Sequence, residues 1–222
     1  DPILFPDLVF LDPQITLGTP DWLWLSTGIK ALDHCIERLY GQGSHPVVDA
    51  TALGGTELIF RYLPRSAASY KDMEARLQCQ IAAWLSMTGT PNVTSGSGLS
   101  HAIGHQLGIR YQIPHGYTSC VAQPYVMEFN RPVTAHAQAR FARAAGVDVH
   151  GMSDEAAAIQ GARAVDELIL GLSLPHRIRD LKVPREDLFN LAEQTIHDRG
   201  GRNNPIPVTT PDQVMKVLEA AW

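Results

Sequence analysis

Cysteine, positive charge and long apolar runs are scarce in this sequence, and each shortage excludes a class of protein. The three cysteines in 222 residues lie far apart without CxxC spacing, which argues against a disulfide framework and for a reducing, cytoplasmic setting. Lys and Arg total 18 against 23 Asp and Glu, a balance that disfavours a nucleic-acid partner. No apolar run approaches the ~20 residues of a membrane span, so we expect no membrane partner either.

Helical spacing dominates what is present. Apolar residues make up 45% of the chain, enough for a sizeable core. Over residues 31–40, four apolar side chains fall on one face of a helix: Leu32, Cys35, Ile36 and Leu39. Further helical candidates are 47–62, 72–88, 132–145, 154–172, 184–197 and the segment that follows a capping box at Thr210. In the candidate helix 72–88, the predicted apolar face consists of Leu77, Ile81, Trp84 and Leu85. In the candidate helix 47–62, the pair Gly54-Gly55 predicts a place where two helices cross closely.

The one strand signal is the apolar run within residues 6–13, bounded by proline. We therefore expect an all-α fold with one short leading β-strand. The Gly-rich segment Gly96-Ser97-Gly98 is not a dinucleotide-binding fingerprint, because His101 stands where the third glycine belongs and no strand precedes it. The irregular loop over residues 200–207 is of a kind that often lines a site.

Histidines carry the strongest chemical signal. His101 and His105 are four residues apart and share one face of a helix, and His115 follows between Pro114 and Gly116. Three imidazoles with an open position can hold a catalytic Zn or Fe ion. An HxxxH pair is also common on helices without any function, so His34, in the amphipathic helix 31–40, strengthens the pattern.

Three segments together resemble the iron-containing alcohol dehydrogenases. They are Ser26–Glu37 (STGIKALDHCIE), Ser100–Gly108 (SHAIGHQLG) and Ile113–Gly116 (IPHG). The resemblance covers essentially the whole chain in order. ALDHC at residues 31–35 and HDR followed by NP at residues 197–205 look most like the maleylacetate reductase branch, which belongs to aromatic compound degradation.

The resemblance implies an enzyme of two domains. Its amino-terminal Rossmann-like domain, absent from this chain, binds NAD(P)H, and its helical carboxy-terminal domain carries the metal and substrate site. Residues 1–20 then correspond to the interdomain strand and linker, and residues 21–222 to the helical domain. The implied partners are a small-molecule substrate, the nucleotide-binding domain and a second copy in a homodimer. This chain alone is expected to be inactive.

The resemblance also assigns site residues. His34, His101 and His115 match metal ligands for Fe²⁺ or Zn²⁺, and His101 and His115 have the expected separation of fourteen positions. His105 matches the histidine that faces nicotinamide and substrate, which makes it both a cofactor contact and the expected proton donor. His197 and Asn204 fall in the closing motif, where we expect substrate contacts.

One position departs from the family pattern. Lys30 stands where the family has its first metal ligand, an Asp one turn before His34. Asp33 lies about 60° around the helix from Lys30 and is not expected to replace that ligand. Three outcomes stay open: a weakly held metal on three imidazoles, a positive pocket in which Lys30 binds and polarises a carboxylate-bearing substrate, or a Lys30 that turns outward to a surface acid.

The expected function is NAD(P)H-dependent reduction of a small, carboxylate-bearing substrate by an alcohol dehydrogenase-like or maleylacetate reductase-like enzyme. Two alternatives remain. A dehydroquinate synthase-like lyase shares the two-domain plan but would need a Glu ligand, and none is evident in the sequence near His101. A non-catalytic helical assembly domain would have no use for the His101, His105 and His115 set.

Overall fold

The computed structural model describes residues 6, 8–88 and 97–222, so expectations that involve Asp7 or Gly96 lie outside the described residues. All regular structure in this part of the chain is helical. The α-helices are α1 Asp21–Tyr40, α2 Pro46–Ala68, α3 Met73–Leu85, α4 Leu99–Tyr111, α5 His115–Ala144, α6 Asp154–Gly171, α7 Leu188–Thr195, α8 Arg199–Asn203 and α9 Pro211–Ala221. Short 3₁₀ turns lie at Ile15–Gly18, Ile178–Leu181 and Arg185–Asp187. The predicted all-α class is confirmed.

Each predicted helical segment overlaps a helix of the structure, with corrections to the buried face of α3 and to the starts of α1 and α5. The four apolar residues predicted to share a face of α1 are all at most 4% exposed. At the start of α9, Gln213 Oε1 accepts the Thr210 N–H at 3.1 Å, which completes the predicted capping box. The predicted apolar face of α3 is wrong, because Trp84 is 51% exposed and the helix instead buries Ala75, Cys79 and Ala82. Small residues on that face let α3 approach its neighbours closely.

Helix α5 is much longer than the pattern predicts. It starts at His115, seventeen residues before the predicted start at Pro132, and runs through both Pro124 and Pro132. Each proline removes a backbone donor and disfavours the helix locally. Packing of α5 against α1, α4, α6 and α9 outweighs this local preference, since the helix runs through the middle of the molecule. The segment 200–207 is also more regular than expected, since α8 occupies part of it.

The expected leading strand is not found among the described residues. Residues 8–12 have no regular secondary structure, and Leu8 and Phe10 are 68% and 84% exposed. A strand is stable only with a partner strand, and the described residues contain none. The proposed division at residues 20 and 21 stays a prediction, although α1 does begin at Asp21.

Two apolar cores share helix α5. One core lies among α1, α2, α3, α5 and α6, and the other among α4, α5, α7 and α9. The predicted close crossing is present at Gly55, where an added Cβ would lie 2.8 Å from Cys35 Sγ. Within the described residues, no helix has both the length and the apolar character needed to cross a membrane. The histidines lie where α1, α4 and the start of α5 meet, between the two cores.

Candidate active site

Four histidines from three helices form one cluster. His34 comes from α1, His101 and His105 from successive turns of α4, and His115 is the first residue of α5. The rings of His34 and His101 stack with centroids 5.0 Å apart, and those of His105 and His115 stack at 5.8 Å. The centroids of His101 and His115 are 5.9 Å apart. The structure thus brings together the four histidines that the sequence singled out.

Lys30 points into this cluster rather than outward. The residue is 8% exposed, and its Nζ lies 2.8 Å from Asp33 Oδ2 within α1. The alternative of a surface lysine paired with a surface acid is therefore wrong. The positive charge of Lys30 helps to lower the pKa of both His34 and His115.

Asp33 reaches the cluster too, from a position about 60° around α1 from Lys30. Its Oδ2 accepts hydrogen bonds from Lys30 Nζ and from Ser119 Oγ, the latter at 2.6 Å, and lies 3.8 Å from His101 Nδ1. Burial opposes ionisation of this carboxyl, but the charges of Lys30 and His101 outweigh burial and hold its pKa well below the usual range. Asp33 is therefore the counter-ion of Lys30 and not a substitute ligand.

Glu37 is a site residue that sequence reasoning missed. It is buried, and its carboxylate accepts the backbone N–H groups of Gly98 at 2.6 Å and Ser100 at 2.8 Å, so it caps the amino terminus of α4. Its Oε2 also lies 2.5 Å from His101 Nδ1. The expectation that no Glu lies near His101 is therefore wrong, because the fold brings Glu37 of α1 against His101 of α4. The available signal was the spacing of Lys30, His34 and Glu37, which places all three on one face of α1.

The four imidazoles differ in charge. Burial lowers the pKa of His101, but Glu37 and Asp33 outweigh it and raise that pKa above the ordinary value, which favours an imidazolium. Desolvation lowers the pKa of His34 to about 3, with help from the charges of His101 and Lys30. Desolvation followed by the Lys30 charge lowers the pKa of His115 to about 4. Near neutral pH, His34 and His115 are therefore neutral beside two cations.

His105 is oriented by a residue distant in sequence. Its Nδ1 lies 2.9 Å from Asp198 Oδ2, and Asp198 Oδ1 accepts the backbone N–H of Gly200 at 2.8 Å. A carboxylate only accepts, so Nδ1 carries the proton and Nε2 is the free nitrogen. The hydrogen bond from His105 is the largest influence on Asp198 and lowers its pKa. The side chain of His105 is 45% exposed, so its ring is in contact with solvent.

Asn204 and His197 lie outside the cluster. Asn204 is fully buried and uses all four hydrogen-bonding positions of its amide: Oδ1 accepts from Leu99 N and Asn130 Nδ2, and Nδ2 donates to Asn130 Oδ1 and Ile206 O. These contacts favour a structural role that ties the end of α8 to α4 and α5. His197 is exposed beside Asp198. Substrate contacts of both residues stay predictions.

The residues present do not suit the divalent cation that the resemblance implies. Three potential ligand atoms, from Asp33, Glu37 and His101, lie within 4.8 Å of one another. Asp33 Oδ2 is already bound by Lys30, and Glu37 by two backbone N–H groups. The Lys30 ammonium beside His34 and His115 would repel a cation that their imidazoles bound. We therefore derive no chemical step through a metal.

Comparison with known proteins identifies a family for this chain. The family profile "Fe-containing alcohol dehydrogenase family, C-terminal" matches residues 24–222. NAD-dependent methanol dehydrogenase from Bacillus methanolicus is 33% identical over 218 residues, which cover 97% of this chain and 57% of that protein. Lactaldehyde reductase from Escherichia coli is 33% identical over 222 residues, which cover 100% of this chain and 57% of that enzyme. This chain thus spans just over half the length of these curated relatives.

Solved structures show the same fold. A 1,3-propanediol oxidoreductase superposes with a TM-score of 0.90 at 29% identity, covering 95% of this chain and 55% of that chain. A maleylacetate reductase from a Rhizobium species superposes with a TM-score of 0.84 at 25% identity, covering 100% of this chain and 59% of that chain. The profile match, the relatives and the fold agree that this chain belongs to the iron-containing alcohol dehydrogenase family and has the fold of its helical carboxy-terminal domain.

Proposed function

We propose that this chain is the substrate-polarising part of an NAD(P)H-dependent reductase that acts on a small carbonyl compound bearing a carboxylate. The observation that carries the proposal is the His105–Asp198 pair at the open side of a cluster that also contains the buried cation Lys30. The pair offers a proton, and the cation stabilises negative charge on oxygen. Reduction of a carbonyl group needs both.

The residues of this chain divide the work. One hydride from a reduced nicotinamide passes to the carbonyl carbon, and the carbonyl electron pair moves onto the oxygen. Lys30 stabilises that oxygen through N–H donors, and His105 as an imidazolium passes its Nε2 proton to it. His105 is left neutral with its Nδ1–H still on Asp198, and it regains a proton from the solvent that its exposed side chain contacts. The products are an alcohol and the oxidised nicotinamide.

The charge of the cluster narrows the substrate class. Lys30 and the His101 imidazolium are offset by Asp33 and Glu37, so the cluster is not strongly positive overall. A substrate carboxylate is therefore bound by directed N–H donors rather than by net charge. Directed N–H donors suit a short oxo acid as the substrate. An uncharged aldehyde of similar size is the competing substrate. The names of the relatives include both kinds, a maleylacetate reductase and a lactaldehyde reductase.

Steady-state kinetics test the proposal. The complete two-domain enzyme is assayed by nicotinamide absorbance with NADH and NADPH against maleylacetate, a short 2-oxo acid, lactaldehyde and a neutral aldehyde of the same length. We expect turnover, with a higher kcat/KM for the substrates that carry a carboxylate. Equal kcat/KM across the panel contradicts the carboxylate preference, and absence of nicotinamide oxidation contradicts the reductase.

Two associations complete the proposal. In the described residues no strand precedes a glycine-rich turn, so this part of the chain offers no phosphate-binding loop for a dinucleotide. We propose that a separate nucleotide-binding domain supplies that loop. We also propose a homodimer, as the family resemblance implies. Sedimentation of the complete enzyme reports its mass in solution and checks the second association.

A further inference from the structure

We propose that the ammonium of Lys30, held by Asp33, takes the place of a divalent cation in this site, so that the substrate oxygen is polarised without metal. The inference rests on the proposed reductase function for its chemical meaning. Its structural basis, a buried cation among imidazoles, is independent of that function.

The geometry fixes Lys30 in position. Its side chain is 10% exposed, and that of its partner Asp33 is fully buried. Ser119 Oγ donates to the same carboxylate oxygen at 2.6 Å and so holds Asp33 from helix α5. Among the described residues, Asp33 is the one hydrogen-bond partner of Lys30 Nζ. Two of the three N–H donors of the Lys30 ammonium are therefore left for a ligand. A buried, oriented donor of this kind is what a developing alkoxide requires.

The pair formed by Lys30 and Asp33 is joined to the histidine cluster by contacts. Asp33 Oδ2 lies 3.8 Å from His101 Nδ1, and His101 Nδ1 is paired with Glu37 at 2.5 Å. The ring centroids of His34 and His115 lie 5.0 and 5.9 Å from that of His101. Lys30 therefore brings a buried positive charge to the cluster from helix α1. A lysine ammonium acts as a compact point charge, as a bound metal ion would.

The Lys30–Asp33 pair also explains how the site would exclude a metal. Asp33 Oδ1 is buried and has no hydrogen-bond partner among the described residues, so Lys30 is the main counter-charge for this carboxylate. Removal of the ammonium would leave a buried carboxylate 3.8 Å from His101 Nδ1, and the ring of His101 lies next to those of His34 and His115. Carboxylate and imidazole together are a ligand set for a divalent transition metal. Loss of Lys30 alone is thus expected to convert the cluster into a metal site.

Cobalt binding tests this conversion without any reliance on activity. Four versions of the full chain are titrated with Co²⁺ alone, by calorimetry and by visible d–d absorption: the wild type, Lys30→Met, the double variant Lys30→Met with Asp33→Asn, and Lys216→Met. Lys216 is an exposed lysine of α9 and serves as the matched control for loss of one positive charge. We expect Lys30→Met to bind Co²⁺ roughly 100-fold more tightly than the wild type, because a repulsive charge is lost and a carboxylate is freed. The double variant and Lys216→Met should bind no better than the wild type.

Several outcomes overturn the inference. Tight stoichiometric Co²⁺ binding by the wild type would mean that Lys30 does not exclude a metal. Equal Co²⁺ affinity of Lys30→Met and of the double variant Lys30→Met with Asp33→Asn would mean that Asp33 is not the freed ligand. Should Lys30→Met fail to fold, Lys30→Asp supplies the carboxylate at the lysine position itself, and absence of binding there also overturns the proposal.

A second measurement separates failure of this inference from failure of the proposed function. The complete enzyme is dialysed against a chelator, its metal content is measured, and its reductase activity is assayed. Full activity without metal supports Lys30 as the polarising cation. Activity that disappears with the metal overturns the inference but leaves the reductase function intact.

Discussion

His105 differs from the other histidines of the cluster in its combination of exposure and a fixed carboxylate partner. His101 is 6% exposed and held by Glu37, whereas the side chain of His105 is 45% exposed and held by Asp198. A proton donor must exchange protons with solvent after each turnover, and a buried imidazolium paired with a buried carboxylate does so slowly. In the proposed reaction we therefore expect proton transfer from His105, and a structural and electrostatic role for His101.

Replacement of His105 by Ala should lower kcat of the complete enzyme about 10²–10⁴-fold, because general acid catalysis contributes that much. The Kd for NADH, measured by fluorescence, should change little. His136→Ala is the matched control, since His136 is an exposed histidine that contacts Asp154 far from the cluster. Unchanged kcat with a raised KM would show that His105 binds substrate without donating a proton.

Asp198→Asn should lower kcat by a smaller factor than His105→Ala and should leave KM nearly unchanged. An amide that turns its NH₂ toward His105 cannot accept the Nδ1 proton, so the neutral ring is driven to the other tautomer. The pH profile of kcat provides the second readout, because Asp198 is the acidic group that contacts the Nδ1 atom of His105. A profile identical to that of the wild type would mean that Asp198 only supports the loop at Gly200.

The sequence predicts the histidines of the site better than their partners. His101, His105 and His115 lie within fifteen residues, so local spacing reveals them. Asp198 is 93 positions from His105, and Glu37 is 64 positions from His101. Contacts of that range depend on how helices pack, and no periodicity in one chain encodes them. Lys30 was visible as a departure from the family pattern, but its inward direction was known only from the structure.

At the scale of elements, α1 and α5 lie so close together that one contact between them has no room for a side chain on α5. Gly116, in the first turn of α5, lies against Ser26 of α1, where an added Cβ would be 2.5 Å from Ser26 Oγ and 2.6 Å from its carbonyl carbon. This contact seats the start of α5, and with it His115, against the helix that carries Lys30 and His34.

Gly116→Ala should lower the free energy of unfolding by about 1–3 kcal/mol, since the new methyl group meets backbone that cannot rotate away. Chemical denaturation measures the change. Gly171→Ala is the control, because Gly171 ends α6 and an added Cβ there has no neighbour within 4 Å. A destabilisation by Gly116→Ala no larger than that of the control would mean that α1 and α5 shift apart without penalty.

Local sequence rules predict a helix well where the spacing of apolar residues and the capping residues determine its buried face and its ends. The buried face of α1 and the capping box of α9 follow from spacing and capping residues alone. Helix α5 fails the same rules, because Pro124 and Pro132 disfavour a helix that central burial nonetheless maintains. For the predicted leading strand, the local signal is present but the tertiary support is missing, since its apolar residues have no partner strand in the described part of the chain.

At the scale of the whole molecule, we propose that the described residues form one side of a cleft between two domains. The histidine cluster opens to solvent at His105, and no phosphate-binding loop accompanies it in the described residues. The relatives whose names include a nicotinamide cofactor or a reductase activity are nearly twice as long as this chain. Under the proposed function, we expect a second domain to supply the surface that carries the hydride donor.

The 222-residue chain by itself should show no saturable NADH binding in calorimetry and no nicotinamide oxidation. Addition of a separately expressed nucleotide-binding domain from a relative should restore weak, concentration-dependent activity if the two surfaces fit. Thermal unfolding of the chain alone serves as the folding control. Saturable NADH binding by the chain alone would place a nucleotide site within these residues and contradict the division of labour proposed above.

The Lys30–Asp33 pair has a consequence for the conditions in which such an enzyme works. A lysine is made with the chain, so the positive centre needs no metal supply and cannot be removed by competition from other proteins. An ammonium also has no second oxidation state, whereas ferrous iron is lost to oxygen and peroxide. An enzyme built on this centre is expected to keep its activity in air and in iron-poor surroundings, and to give up in exchange the higher charge of a divalent ion.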